Sequence, residues 1–231
     1  MKILYWNVRG IANSPTKLAI KRLITQNKPD ILVIAEPWIE FSNFPVRWLA
    51  RQDLKLFATN NRNGQIPNLW CICKNQLNPN ILSIDSQQVS FMLKEHDNYF
   101  SVSAIYASTS YLQRRNLWTN LQNLQTQYNV PWCFLGDYNA IIGAHEYQGA
   151  FQPSRTPMNE FLQWSNSNHL IHLPTRGSFF TWSNGRRGTN HTQKRLDRAI
   201  CNQQWIDMCT TISCSTLIRN RSDHFPLLLD F

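Results

Sequence analysis

The chain has 231 residues, 42% of them hydrophobic, which is enough for a sizeable core in one domain or two small ones. Its 23 Lys and Arg against 14 Asp and Glu give a net charge of +9, which favours an anionic partner, most often nucleic acid. No apolar run approaches the roughly 20 residues that a membrane-spanning helix needs. Residues 1–10 are too short and too mixed for a signal peptide, so we expect a soluble, intracellular protein without a membrane partner.

The predicted elements run through the whole chain, and strands outnumber helices. Apolar or alternating runs predict strands at residues 2–8, 30–36, 54–59, 69–74, 81–93, 99–107, 131–137, 178–184 and 195–201, and in two closing segments of which the last is 225–231. Helices are predicted at residues 15–27, 110–128 and 157–168. The first of these has Ser14 as its N-cap and Pro15 in its first turn, and it repeats Leu18, Ala19, Arg22, Leu23 and Gln26 at helical spacing.

The distribution of these elements predicts the architecture. No internal repeat, low-complexity tract or Gly/Ser linker interrupts the sequence, so we expect a single domain over residues 1–231. Strands in excess, with helices between some of them, are typical of mixed sheets that are flanked by helices in layers. The sequence therefore predicts an α/β (α+β) fold.

The six cysteines and the scattered histidines do not predict a zinc site. The cysteines contain no Cys-x-x-Cys pair and no zinc-ligand spacing with histidine, so we expect reduced, structural thiols. His169 and His172 lack the i,i+4 spacing of a helical zinc pair. We expect these two, with His145 and His191, at the surface or at helix ends.

Polar or titratable side chains lie at the ends of nearly every predicted strand. Each has an ordinary explanation by itself, since Glu36 suits a surface and Asp137 suits an Asx turn. Because strand ends converge in layered sheets, we expect the whole set to meet in one cleft. The set consists of Asn7, Glu36, Tyr106, Asp137, Asn139, Asp197, Asp223 and His224.

The chemistry of this set is coherent. Carboxylate and amide oxygens are hard ligands that suit Mg²⁺ or Mn²⁺. An Asp beside a His orients the imidazole and supports its positive form. Such an inventory is typical of phosphate-ester hydrolysis.

Six short motifs carry a family resemblance, and they occur in one order from the first predicted strand to the last. They are WNVRG (6–10), VIAEP (33–37), AIYAS (104–108), GDYN (136–139), RLDR (195–198) and SDH (222–224). In this order they resemble the endonuclease/exonuclease/phosphatase superfamily, which includes pancreatic deoxyribonuclease and exonuclease III-type abasic-site endonucleases. With AEPW, FTWSNGR and RLDRAI, the chain looks most like the endonuclease domain of plant LINE-type (non-LTR) retrotransposons.

The resemblance implies a four-layer α/β sandwich, in which two mixed sheets pack face to face with helices outside. It implies that Glu36 binds a divalent metal, Mg²⁺ or Mn²⁺, with help from Asn7 and Asp223. The predicted catalytic residues are Asn7, Tyr106, Asp137, Asn139, Asp197 and His224. In this scheme Asp137 orients or deprotonates the attacking water, Asn139 positions the water and the phosphate, and Tyr106 donates to a phosphate oxygen. Asp197 pairs with His224, which stabilises the charge of the phosphate.

Basic residues near this site predict contacts with DNA. Several DNA-repair relatives carry a carboxylate two residues after Asn7, where this chain has Arg9, so a second metal ligand is not expected there and a phosphate contact is. Residues 182–198 combine Asn-Gly and Arg-Arg-Gly in a hairpin signature. A solvated surface loop is the alternative, but in the resembling family a hairpin at this place approaches DNA. The predicted contacts are Arg9, Arg186, Arg187, Lys194 and Arg195.

Three functions compete at this point. The first is a Mg²⁺-dependent endonuclease that nicks target DNA for a retrotransposon. In this case we expect a monomer in the nucleus, with the reverse transcriptase domain of a longer parent polyprotein as a partner. The second is a phosphoesterase acting on inositol phosphates or lipids, and the third is a decayed, non-catalytic DNA-binding relic. The basic charge favours the first over the second, and the intact motif set argues against the third. We expect either a domain of a larger polyprotein or a truncated copy.

Overall fold

The computed structural model describes residues 1–95 and 98–231. Within these residues the strands are Lys2–Asn7 (β1), Ile31–Ala35 (β2), Leu54–Thr59 (β3), Leu69–Lys74 (β4), Asn80–Ile84 (β5), Gln88–Glu95 (β6), Asn98–Tyr106 (β7), Trp132–Asp137 (β8), Tyr147–Gln148 (β9), Ile171–His172 (β10), Thr175–Arg176 (β11), Trp182–Ser183 (β12), Gln193–Lys194 (β13), Asp197–Cys201 (β14), Ser213–Thr216 (β15) and Leu227–Asp230 (β16). The α-helices are Ser14–Asn27 (α1), Val46–Ala50 (α2), Tyr111–Gln127 (α3), Arg155–Ser167 (α4) and Gln203–Met208 (α5). Short 3₁₀ turns lie at Phe41–Asn43, Ala144–Glu146 and Gly188–Asn190.

The strands form two large mixed sheets. The first has the order β11-β15-β16-β1-β2-β4-β3, and the second has the order β10-β14-β8-β7-β6-β5. Their facing sides share one hydrophobic core, which contains Tyr5 and Val33 of the first sheet and Phe91 and Leu135 of the second. A separate small sheet, β12-β13-β9, is built around the predicted hairpin. No helix in the part of the chain that the structure describes is long and apolar enough to cross a membrane.

Helices cover the outer faces of both sheets. Ala19, Ile20 and Ile24 of α1 join the hydrophobic cluster on the outer face of the first sheet. Trp118 of α3 and Phe161 of α4 join the corresponding cluster on the second sheet. The order helix, sheet, sheet, helix is the predicted four-layer sandwich, and the fold prediction is confirmed.

Each large sheet contains a parallel pair near its middle, and these two pairs position the polar residues. In the first sheet β1 runs parallel to β2, so that Asn7 lies beside Ala35. In the second sheet β7 runs parallel to β8, so that Tyr106 lies beside Asp137. Parallel neighbours end at the same edge of a sheet. The polar residues at the ends of β1 and β2 therefore lie side by side, and so do those at the ends of β7 and β8.

Two antiparallel neighbours add the remaining polar residues at the same edge. Strand β14 runs antiparallel to β8, and its first residue, Asp197, pairs in register with Asp137. Strand β16 runs antiparallel to β1, with Tyr5 opposite Leu227. The residues that precede β16, including His224, therefore lie beside the end of β1.

The predicted details of α1 were wrong in two respects. The N-cap is Asn13 rather than Ser14, because the Asn13 side chain accepts a 2.8 Å hydrogen bond from the backbone N–H of Thr16. The face that packs on the sheet consists of Thr16, Ala19, Ile20 and Ile24, whereas Leu18 is 49% exposed. The buried side of the helix is therefore centred on the two isoleucines, with Leu23 partly buried beside them.

Two predicted strands were also revised by the structure. The run 81–93 is a hairpin of two strands, because the Asp85 carboxylate accepts a hydrogen bond from the backbone N–H of Gln87 and holds a turn between them. Within the run 178–184, only Trp182–Ser183 pairs as a strand. The short helices α2 and α5 were not predicted.

The cysteines are free thiols, as predicted, and all except Cys209 are buried. Burial raises the pKa of the Cys73 thiol to about 11. A thiol with such a pKa is protonated at neutral pH and is a poor nucleophile. The six cysteines therefore have a packing role.

Candidate active site

The edge where the two parallel pairs end carries a network of buried polar side chains. Asn7 donates through Nδ2 to Glu36 Oε1 at 2.8 Å and to Asp137 Oδ2 at 3.1 Å, so it connects the two sheets. The Tyr106 hydroxyl donates to the same oxygen of Glu36 at 2.9 Å. Burial, followed by the negative charge of Glu36, raises the pKa of Tyr106 far above its ordinary range. Tyr106 is therefore a neutral donor at any physiological pH.

Three residues of this region hold a left-handed backbone conformation. The φ angles are 50° at Arg9, 50° at Glu36 and 46° at Asn139. Such a conformation costs of order 1–3 kcal/mol for each residue other than glycine and persists only where the surroundings enforce it. At Glu36 the backbone carbonyl accepts from Gly10 N at 2.8 Å and the N–H donates to Asn68 O at 2.9 Å. These bonds hold the turn that points the Glu36 carboxylate into the network.

His224 and Asp197 form a buried pair in the second part of the network. His224 Nδ1 lies 2.9 Å from Asp197 Oδ2, and both side chains are almost fully buried. Asp197 is oriented by Thr181, whose hydroxyl oxygen accepts the Asp197 backbone N–H at 2.8 Å. Burial by itself would lower the pKa of His224, but the charges of Asp197 and Asp137 outweigh burial and raise it to about 9. His224 is therefore an imidazolium ion at neutral pH.

The Nε2 side of the imidazole faces the inside of the cluster. It lies 3.7 Å from Asp137 Oδ2 and 4.0 Å from Asp223 Oδ1, both beyond hydrogen-bonding distance. Nε2 also lies 3.4 Å from Asn7 Nδ2, which is itself a donor. With Nδ1 engaged by Asp197, the Nε2–H of the imidazolium therefore has no acceptor within 3.5 Å among these neighbours and remains for a substrate oxygen. This arrangement directs the positive charge of His224 towards the carboxylates and the space between them.

Asp137 has the environment of a general base. Its Oδ1 accepts the backbone N–H of Asn139 at 2.9 Å, and its Oδ2 accepts from Asn7. Burial raises the pKa of Asp137, and the imidazolium of His224 lowers it, with a net increase to about 6. A carboxylate with a pKa near neutral takes up a proton more readily than an ordinary Asp and is still ionised at pH 7. The Asn139 side chain donates to Ala107 O at 2.8 Å, which fixes its position beside Asp137.

Asp223 is held at one oxygen and lacks a hydrogen bond at the other. Trp182 Nε1 donates to Asp223 Oδ2 at 2.8 Å. Asp223 Oδ1 is buried and has no hydrogen-bond partner among the described residues. Its nearest cationic group is Arg9, whose Nε lies 3.5 Å away, while Arg9 Nη1 lies 3.2 Å from Glu36 Oε2. Glu36 and Asp223 thus face one common cation.

The donor set fits a divalent metal at Glu36 and Asp223. The Asp223 oxygen without a hydrogen bond and the two Glu36 oxygens are hard ligands that suit Mg²⁺ or Mn²⁺. Asp137, Asp197 and His224 also offer atoms within 4.8 Å of one another. We favour the first pair, because a protonated His224 cannot act as a ligand. Asn7 faces Glu36 and Asp137 with Nδ2, so its predicted role as a ligand requires the amide to present Oδ1 instead.

The predicted DNA-contacting residues differ in their exposure to solvent and in their ion pairs. Arg186 and Arg187 are exposed at the tip of the hairpin between β12 and β13. The Lys194 ammonium lies 5.5 Å from the centre of the Trp182 ring. Arg195 lies mostly buried, with Nη1 3.6 Å from Glu146, and Arg9 is directed towards Glu36 and Asp223. Of these five residues, only Arg186 and Arg187 present guanidinium groups that have no ion pair with a described carboxylate.

Several residues that position the site were not identified from the sequence. Ser222 Oγ donates to Asn7 O at 2.7 Å and accepts the backbone N–H of His224 at 3.1 Å, so it joins the last loop to β1. Arg198 forms a fully buried pair with Glu146, with contacts of 3.0 and 2.7 Å, directly beside Asp197. A buried charge pair next to a predicted catalytic strand leaves no periodic signal in a single sequence.

The histidines outside the site have varied surroundings. His145 and His169 are exposed, and His191 lies in the hairpin, where its Nε2 is 3.0 Å from Ser183 Oγ. His172 differs from the expectation of a surface residue, because it is largely buried and its Nε2 lies 2.9 Å from Ser165 Oγ. Burial and the charge of Arg198 lower the pKa of His172 to about 4, so it is neutral.

Comparisons with solved structures show the same fold. The endonuclease domain of TRAS1, a telomere-specific non-LTR retrotransposon, has a TM-score of 0.75 at 13% identity, over 99% of this chain and 97% of that one. The 3′-5′ exonuclease NExo from Neisseria meningitidis has a TM-score of 0.75 at 17% identity, over 100% and 99%. An AP endonuclease from Archaeoglobus fulgidus has a TM-score of 0.73 at 15% identity, over 100% and 99%.

Comparisons of sequence give a family but no individual relative. No curated protein matches the chain. The model of the Endonuclease/Exonuclease/phosphatase family matches residues 4–224, which include every polar side chain of the network. The chain therefore belongs to the Endonuclease/Exonuclease/phosphatase family, whose members are hydrolytic nucleases and phosphatases.

Proposed function

We propose that this protein is a divalent-metal-dependent endonuclease that nicks duplex DNA. One observation carries the proposal: an imidazolium held by a buried carboxylate, a carboxylate with a raised pKa and two carboxylates that face one cation lie around a single buried network. These are the groups that phosphodiester hydrolysis requires. Mg²⁺ is the proposed cofactor, with Mn²⁺ as a substitute.

The proposed reaction forms a bond between water oxygen and phosphorus and breaks one P–O bond to a sugar, whose oxygen leaves as an alkoxide and takes a proton from solvent. Asp137 accepts the proton of the water, and Asn139 holds Asp137 and the water in position. His224 donates from Nε2 to a phosphate oxygen and stabilises the charge that develops there. Tyr106 donates to a second phosphate oxygen. Glu36 and Asp223 would hold the metal, which would supply Lewis-acid stabilisation of the same charge.

The charge of the molecule favours DNA over a small phosphate as substrate. The net charge is +9, and exposed Arg186 and Arg187 lie on the hairpin whose strand β12 contributes Trp182 to the site. Phosphates that flank the cleaved bond would contact these guanidinium groups, which a small phosphate ester would not reach. A polymeric, anionic substrate is therefore favoured over a small one.

The biological setting is also part of the proposal. The fold that the chain shares with the TRAS1 endonuclease domain, together with its plant LINE-like motifs, supports a role in nicking target DNA for a non-LTR retrotransposon. In that role the protein acts in the nucleus as a monomeric domain and works together with a reverse transcriptase.

The first experiment is a plasmid-nicking assay with Mg²⁺. We expect supercoiled DNA to become open circles, and we expect EDTA to stop the reaction. Asp137→Ala and His224→Ala should each reduce the rate by about 10²–10³, by analogy with the loss of a single charge-stabilising donor elsewhere. The matched controls are Asp207→Ala and His169→Ala, which remove exposed side chains of the same types and should nick at the parental rate.

The same preparations should be tested for phosphate release from inositol phosphates. Rapid release without DNA nicking would replace the endonuclease proposal with a small-molecule phosphoesterase. DNA binding without either activity would identify a decayed, non-catalytic protein. Near-parental nicking by both Asp137→Ala and His224→Ala, with both variants folded by circular dichroism, would contradict the proposed roles.

A further inference from the structure

The guanidinium of Arg9 lies between the two carboxylates that suit a metal. Its Nη1 is 3.2 and 3.4 Å from the Glu36 oxygens, and its Nε is 3.5 Å from Asp223 Oδ1. We propose that Arg9 is an internal cation that neutralises Glu36 and Asp223 and is displaced from them when a divalent metal binds. The inference rests on the proposed function, because it concerns the metal of the same site.

The surroundings of Arg9 hold it in this position. Its backbone has a φ of 50°, and its N–H donates to Asn7 Oδ1 at 3.3 Å. The Trp38 ring lies beside the guanidinium, with 5.4 Å from the guanidinium carbon to the ring centre. Gly10 allows this approach, because a Cβ at Gly10 would lie 2.9 Å from the Trp38 ring. The backbone turn and the aromatic ring together direct Arg9 into the site.

Electrostatics explain why a cation is needed there and why this one can leave. The Glu36 side chain is 7% exposed, so its negative charge requires a nearby positive partner. The Arg9 side chain is 44% exposed, so water and salt weaken its two ion pairs. A small divalent ion carries twice the charge of Arg9 and can approach the same oxygens more closely. Since both cations need the same carboxylates, Arg9 competes with the metal.

Displacement gives Arg9 a second role. Once Glu36 and Asp223 bind a metal, the guanidinium is left beside the cleft without a carboxylate partner. A phosphate group of the substrate is the chemical group that best replaces those carboxylates. Metal binding therefore converts Arg9 from a partner of the site's carboxylates into a contact for DNA.

The test measures metal binding directly. Mn²⁺ is titrated into the whole chain, and free Mn²⁺ is followed by electron paramagnetic resonance, without DNA. We expect Arg9→Met to bind Mn²⁺ more tightly than the parent, on the order of tenfold, since two partly exposed ion pairs no longer compete. Arg9→Lys should remain near the parental affinity because it keeps the positive charge.

Arg221→Met is the matched control. Arg221 also has a positive φ, 64°, lies two residues before Asp223 and forms no ion pair with a carboxylate in residues 1–95 and 98–231. Arg221→Met, like Arg9→Met, removes one positive charge and places a Met at a residue with a positive φ. An Mn²⁺ affinity that rises only in Arg9→Met supports competition. An unchanged or weaker affinity in Arg9→Met, or an equal rise in both Met variants, overturns it.

DNA binding provides the second measurement. Ca²⁺ binds to sites made of oxygen ligands, so it can take the place of Mg²⁺ here. In Ca²⁺, Arg9→Met should bind a DNA duplex less tightly than the parent does. In EDTA, the two proteins should bind the duplex equally. Weaker binding by Arg9→Met in EDTA as well would show that Arg9 already contacts DNA without metal, against the proposed displacement. Neither measurement depends on cleavage. Arg9→Met could bind Mn²⁺ more tightly and bind DNA less tightly in Ca²⁺ while the parent protein does not nick DNA. That result would contradict the proposed function but not the role of Arg9.

Discussion

At the scale of single residues, the charge of His224 depends on a balance between burial and neighbouring carboxylates. Burial lowers the pKa of His224, while Asp197 and then Asp137 raise it, with a result of about 9. Because this pKa lies above the ordinary value of 6.5, the folded state binds a proton that the unfolded state releases. The resulting stabilisation is complete below pH 6.5 and is lost as the pH rises through about 9.

The variant Asp197→Asn tests this balance. The amide oxygen still accepts the hydrogen bond of Nδ1, but the negative charge is gone, so the pKa of His224 should fall. We expect the alkaline limb of the nicking profile to move towards acid by about 1–3 pH units. An NMR titration of the His224 ring gives the pKa without a need for activity.

His169 is the internal reference for that titration, since it is exposed and distant in sequence from the site. At each pH the ring signals of His169 should be at the same positions in the parent and in Asp197→Asn. If His224 titrates at the parental pH in the variant, then Asp197 does not hold its charge, and the proposed role of the pair is wrong.

The titratable residues of the site could be predicted from the sequence, whereas the residues that orient them could not. Asp137 and His224 were identified because titratable groups beside buried strands are costly unless they are paired or used. Ser222 and Thr181 were missed because hydroxyl groups occur throughout the chain and their orientation depends on tertiary contacts. The ion pairs of Arg9 were missed because they depend on a left-handed backbone turn that local pattern does not predict.

At the scale of elements, the distance between β7 and β8 depends on Gly136. A Cβ at this position would lie 2.0 Å from Ile105 O and 2.9 Å from Ile105 N. The same Ile105 carbonyl accepts the Tyr5 hydroxyl at 2.8 Å, which joins the second sheet to the first beneath the site. The position of the neighbouring residue, Asp137, therefore depends on the absence of a side chain at Gly136.

Gly136→Ala should separate these strands and displace Asp137. We expect a loss of about 1–3 kcal/mol or more in the free energy of unfolding, as in other overpacked interiors, together with a loss of nicking. Urea denaturation measures the first effect. The control is Gly64→Ala, because Gly64 also has a positive φ, 83° against 156° at Gly136, but a Cβ there would meet no heavy atom within 4 Å beyond its own chain neighbours. An equal loss of stability in both variants would contradict the steric argument.

The strands were easier to predict than their ends and partners. Continuous apolar runs such as Ile31–Ala35 are buried on both faces and form strands for that reason. The boundary at Asp85 was missed because a carboxylate turn interrupts an otherwise strand-like run. For Leu18, local spacing failed because the packing of the isoleucines in α1 decided which face is buried.

At the scale of the whole molecule, the four-layer sandwich was predicted from the resemblance and from the excess of strands. Composition alone could not have distinguished it from other layered folds, since the same balance of helix and strand fits many of them. The sequence predicted that these polar residues meet in one cleft, but it could not predict which strand pairs bring them together. The two parallel pairs, one in each sheet, bring Asn7 and Asp137 within 3.1 Å although they are 130 residues apart.

The net charge of +9 is the property of the whole molecule that bears most directly on DNA binding. Binding that neutralises phosphates releases counterions, so log K falls linearly with log salt, with a slope of roughly −0.9 for each contact. Replacing both Arg186 and Arg187 by Gln should therefore make the slope less steep by up to about 1.8. Affinity should fall by a similar factor for duplexes of unrelated sequence, because phosphate contacts do not distinguish bases.

Fluorescence anisotropy in EDTA, at several salt concentrations, measures this slope without cleavage. The matched control replaces Lys21 and Arg22 by Gln. Both are exposed on α1, the helix that covers the outer face of the first sheet. Both double variants have a net charge of +9 − 2 = +7, so they differ only in where the charge is lost. If the two variants change the slope equally, DNA responds to the total charge, and the hairpin has no special part in binding. A change confined to Arg186 and Arg187 would place the DNA backbone along the hairpin next to Trp182 and Asp223.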